Sequence, residues 1–154
     1  LSALEGSSLK DGYKLFTMFW NEEFDSEIGF EKDRKKAFEY AEIIYNNCLN
    51  LHDCNNYDLA YAKALFYRNK ASDREKALKI VNKKLRDYGL KEENSLIIRY
   101  FIFKLEMASK YKSKNIVVDL DFAERYFSKM NSLSHFRKEG MFWLTQCYIS
   151  GLKR

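Results

Sequence analysis

Residues 33–45 read DRKKAFEYAEIIY, and this stretch decides the fold. Ala37, Ala41, Ile44 and Cys48 recur at helical spacing on one face, flanked by Phe38 and Tyr45, while Arg34, Lys35, Lys36, Glu39 and Glu42 cover the rest. The stretch returns as DREKALKIVNKKL from Asp73 and, more distantly, as DLDFAERYFSKM from Asp119. Each copy opens on an Asp and places an Ala four residues later, at Ala37, Ala77 and Ala123. Self-similarity at intervals of 40 and 46 residues predicts helical hairpins packed in series.

Composition agrees with an all-α chain. Proline is absent and only six Gly occur in 154 residues, too little turn punctuation for many short strands. The hydrophobic fraction of 46% excludes a disordered chain, and no apolar run reaches the ~18 residues that span a bilayer. Net charge is +5, mildly basic. Three Cys are an odd number without framework spacing, which predicts free thiols, a reducing compartment and a cytoplasmic location.

Seven helices are predicted outward from the repeat: about Leu9–Phe24, Asp33–Leu49, Tyr57–Ala71, Asp73–Tyr88, Asn94–Lys112, Asp119–Asn131 and His135–Ile149. Residues 1–8 read as a flexible lead-in and 9–154 as one helical-repeat domain. The first helix carries a stripe of Leu15, Phe16, Phe19, Trp20 and Phe24. Ser72 with Glu75 forms a capping-box pattern, and Gly89 and Gly151 stand where helices stop. Leu96, Tyr100, Phe103 and Met107 repeat along a strongly apolar fifth helix, expected to be covered on two sides.

These residues carry a resemblance. Trp20, Phe24, Gly29, Phe30, Asp33, Lys36 and Ala37 match in order the aromatic, loop and Asp-x-x-Lys-Ala positions of the Sel-one-like repeat, a tetratricopeptide-like unit. Phe30 stands for its Val, Glu27 for its first loop Gly and Asn21 for its small residue. Ala108, Tyr111, Val117 and Ala123 resemble a further unit, and Phe142–Gly151 the start of another. The stretch from Ala64 and Tyr67 to Ala77 is closer to the tetratricopeptide type. The resemblance implies a right-handed α-solenoid of about three hairpins plus a terminal helix. It also implies a non-enzymatic adaptor that binds a protein or peptide on its concave face.

On that face the expected anchors are Tyr57, Tyr61, Arg68, Arg99 and Phe103, because Tyr and Arg dominate binding hot spots. The alternative is a nucleic-acid-binding protein using the basic stretch Arg68–Arg86, above all Arg74, Lys76, Lys79 and Lys83. A regulatory domain of a larger protein is the third reading. No catalytic set, cofactor motif or metal site is expected. Cys48, His52 and Cys54 match no zinc spacing, and His135 has no identifiable nucleophile or orienting partner.

Overall fold

The computed structural model describes residues 6–20, 33–48, 54–90, 94–112 and 116–151. All seven elements in them are α-helices: α1 Gly6–Trp20, α2 Arg34–Cys48, α3 Asn55–Phe66, α4 Ala71–Tyr88, α5 Ser95–Lys110, α6 Leu120–Ser128 and α7 His135–Ile149. The chain divides into two compact units, Leu1–Ile80 and Val81–Arg154, so the boundary falls within α4. Among the described residues no helix is long and apolar enough to cross a membrane.

In the first unit α1 packs on α2 and α2 on α3, with α1 also touching α3. Helix α2 behaves as its sequence dictates. Asp33 caps it, Oδ1 accepting from Lys36 N at 3.0 Å, and Ala37, Ala41, Ile44 and Cys48 are buried. The small Ala residues let the neighbouring backbones approach. Leu9 of α1 meets Ile44 and Cys48, with Tyr13, Cys54 and Tyr57 packed around them. The buried ridge of α1 is Leu9, Gly12 and Phe16, whereas Leu15, Phe19 and Trp20 of the expected stripe are half-buried. Residues 6–8, expected in the lead-in, form the first turn of α1. Phe24, Gly29 and Phe30 lie outside the described residues.

Two expectations about the first unit are corrected. Helix α3 ends at Phe66, not Ala71, because Asn69 takes the left-handed conformation at φ 61°, which Asn tolerates better than most residues. Its side-chain oxygen accepts from the Arg74 guanidinium. Helix α4 therefore starts at Ala71, and Ser72, expected as its cap, lies inside it. The second correction concerns sulfur. Cys48 and Cys54, expected as free thiols, are joined in a disulfide with Cα atoms 5.8 Å apart. It ties the end of α2 to the start of α3, a short ring whose closure stabilises by about 2 kcal/mol. The pairing removes the ground on which a reducing compartment and a cytoplasmic location were expected.

In the second unit α5 is the central element. Asn94 caps it, accepting from Ile97 N at 3.3 Å, and nine of its residues from Ile97 to Ala108 are buried. That burial meets the expectation of a helix covered on more than one side. Asp119 caps α6, accepting from Phe122 N at 2.9 Å, and Leu120, Ala123 and Phe127 point inward. The Phe127 ring stacks on Phe101 of α5 with centroids 5.6 Å apart. Helix α7, capped by Ser134, packs on both, turning Gly140, Leu144 and Cys147 to the core. Gly89 and Gly151 take positive φ, 68° and 92°, as expected of residues that end helices. Cys147 is the remaining free thiol. It is 0% exposed, and burial pushes its pKa up to about 11, so it stays protonated and inert at neutral pH.

Candidate binding pocket

One end of the first unit collects three helix ends: the last residue of α1, the first turns of α2, and the last turn of α3 with the turn after it. A backbone bond from Asp33 N to Phe19 O, 3.0 Å, holds the start of α2 beside the end of α1. Between them opens a pocket of about 410 Å³. Its rings are Trp20, Phe38 and Tyr67, its cations Arg34, Lys35 and Arg68, and its carboxylate Glu39. Ala64, 1% exposed, contributes where a larger side chain would fill the space.

The two arginines are held in place. The Arg34 guanidinium lies over the Trp20 ring, 3.4 Å from its centroid, and 4.9 Å from that of Tyr67. Those rings meet edge to face at 5.3 Å. A guanidinium on an aromatic face is worth roughly 0.5–2 kcal/mol, according to its desolvation. Arg68 lies 4.1 Å from the Phe38 centroid, and its Nε is 3.6 Å from the Asp73 carboxylate. Phe38 is backed by Tyr61, which stacks on Tyr45 at 4.2 Å. Lys76 Nζ donates to Tyr61 Oη at 3.0 Å, which holds the ammonium above the usual lysine value. The arrangement is an alternating ladder of rings and cations. It sets two guanidinium groups at fixed positions against aromatic faces, a cationic surface beside an apolar one.

The expected anchors divide by burial. Arg68 lines the pocket and is exposed. Tyr61 is only 4% exposed and supports the wall from behind. Tyr57 is half-buried against Tyr13, centroids 5.7 Å apart. In the second unit Arg99 is exposed, but Phe103 is 1% exposed, so its ring belongs to the core and is withdrawn as an anchor. Of the basic stretch, Lys79 and Lys83 are exposed on α4, Arg74 is half-buried against Asn69, and Lys76 is held by Tyr61. Among the described residues no group of three His, Cys, Asp or Glu could hold a metal ion. His135 faces solvent with Nε2 3.4 Å from Glu139, and His52 lies outside the described residues.

Sequence reasoning missed Arg34, Lys35, Trp20, Phe38 and Tyr67 as a set, reading the rings as packing and the cations as solvated surface. The available signal was a first helical turn, Arg34–Lys36, made of cations alone. No family model, curated protein or solved structure matches the chain.

Proposed function

We propose that this chain is a non-enzymatic binding module of tetratricopeptide-like helical repeats, forming a right-handed solenoid, and that the pocket of its first unit holds a peptide segment of a protein partner. The observation that carries the reading is the pocket itself, where two arginines are fixed on aromatic faces at the meeting of three helix ends. Such a site binds with little ordering cost on the receptor side. The repeat reading is supported by α1 and α5, each of which touches the next helix but one, α3 and α7, as helices of an array do.

The reading is tested by panning random linear peptides displayed on phage against the full chain. Selected peptides should bind the wild type and lose about tenfold or more in affinity to the double variant Lys35→Glu, Arg68→Ala. Both residues are exposed, so far-UV circular dichroism should stay at wild type. Peptides that bind wild type and variant alike would place the binding elsewhere.

A nucleic-acid partner is the second reading, favoured by the exposure of Lys79 and Lys83 at helical spacing on α4. Charge is also unevenly spread: residues 81–154 hold fifteen Lys and Arg against eight Asp and Glu. On this reading, single-stranded DNA retains the protein at about 50 mM salt, retention falls steeply as salt rises, and Lys79→Glu with Lys83→Glu removes it. Flow-through at low salt rules it out.

A further inference from the structure

The walls of the pocket are flat. Trp20 and Tyr67 meet edge to face at 5.3 Å, the Arg34 guanidinium lies over Trp20, and the Arg68 guanidinium lies over Phe38. Ala64 adds a methyl group with no polar atom. Charge around the site is balanced. Arg34, Lys35 and Arg68 stand against Glu39 in the lining, Asp73 beside the Arg68 Nε at 3.6 Å, and Asp33, whose carboxylate caps α2 one residue before Arg34. Three cations thus meet three carboxylates. An ionic guest would lose its hydration here without a counter-charge to offset the loss. The Arg68 side chain is 36% exposed. One face of its guanidinium is against Phe38 and its Nε edge is toward Asp73, so the face turned away from Phe38 is the one left to a guest.

We infer that the group this pocket receives is an aromatic side chain of the peptide partner, stacked on the Arg68 guanidinium, an inference that rests on the peptide-binding reading above. A volume of about 410 Å³ lies at the small end of ligand pockets, so it takes one large side chain rather than a helix. A ring in that position completes three layers, Phe38, the Arg68 guanidinium and the guest, in which both π-faces meet the cation. Arg suits this role where Lys does not, because its guanidinium is planar and more weakly hydrated. An aliphatic side chain of similar size buries a similar area but has no π-face, so the flat cation tells the two apart. A phenyl, phenol or indole is also neutral, which matches the balanced charge of the lining.

The test starts from the peptides that phage panning selects on the full chain. They should share a Phe, Tyr or Trp at one fixed position. One such peptide is resynthesised with Phe, cyclohexylalanine or Ala at that position, and binding is read by fluorescence anisotropy. Cyclohexylalanine is close to Phe in size but lacks the π-face. The Phe peptide should bind about threefold or more tighter than the cyclohexylalanine peptide, and about tenfold or more tighter than the Ala peptide. Arg68→Lys keeps the charge and loses the plane, and should remove the preference for Phe over cyclohexylalanine. Because Arg68 is exposed, the variant keeps its fold, as far-UV circular dichroism will report. Selected peptides with no common aromatic, cyclohexylalanine binding as well as Phe, or a preference that survives in Arg68→Lys would each overturn the aromatic assignment while peptide binding stands. If panning selects no peptide, the peptide-binding reading falls with it.

Discussion

Gly140→Ala should unfold the second unit several degrees before the wild type melts. Gly140 lies mid-way along α7, and its backbone rests directly on the ring of Phe127. An added Cβ would sit far inside contact distance of three ring carbons, Cδ1, Cε1 and Cζ. The ring cannot swing away. Phe127 is 0% exposed, stacked on Phe101 and set edge to face against Tyr126. Ordinary helix propensity argues the other way, since Ala is better than Gly in a helix interior by about 1 kcal/mol. Overpacking of this kind costs about 3 kcal/mol or more, so the net expected loss is about 2 kcal/mol, roughly 4–8 °C in Tm for a chain of this size. The double variant Gly140→Ala, Phe127→Leu should recover part of the loss, because the smaller side chain vacates the space the methyl needs. Thermal melts followed by circular dichroism decide it. A single variant that melts at or above the wild type would show that α6 and α7 do not meet at this glycine.

The same glycine shows where sequence reading stops. Its place within the seventh helix was legible, because His135–Ile149 has helical periodicity and Ser134 precedes it. That it rests against the Phe127 ring of α6 was not, since nothing local marks which face meets Phe127. Caps were legible where the signal is local, as with Asp33, Asn94 and Asp119, whose side chains accept from the backbone three residues on. The echo at Asp73 misled for a physical reason. It has the letters of the other two copies, yet the helix had already begun at Ala71, because Asn69 two residues earlier took the left-handed turn. The disulfide escaped notice because an odd cysteine count says nothing about which two thiols meet, and Cys48 had a sufficient explanation as a buried helix residue. The pocket was least legible of all. Trp20, Phe38 and Tyr67 each read as packing, and only the convergence of three helix ends turns them into faces for guanidinium groups.

Phe103 offers the sharpest contrast between a partner-binding residue and a core residue, and Phe103→Ala is expected to have the largest effect on stability of the substitutions considered. Its ring is 1% exposed in the middle of α5, the helix with nine buried residues around which the second unit is built. Truncating a buried Phe removes its transfer free energy and leaves a cavity that the surroundings only partly fill, about 4 kcal/mol together. For a chain of this length that corresponds to a fall in Tm of roughly 8–16 °C. Arg99, four residues earlier on the same helix, is exposed, and Arg99→Ala should melt within about 2 °C of the wild type. The pair separates two explanations of the aromatic repeat Leu96, Tyr100, Phe103 and Met107. If the repeat served a partner, Phe103→Ala would leave the melt unchanged and weaken only peptide capture. A large fall in Tm, with capture of phage-selected peptides by the surviving folded fraction unaltered, assigns the ring to the core.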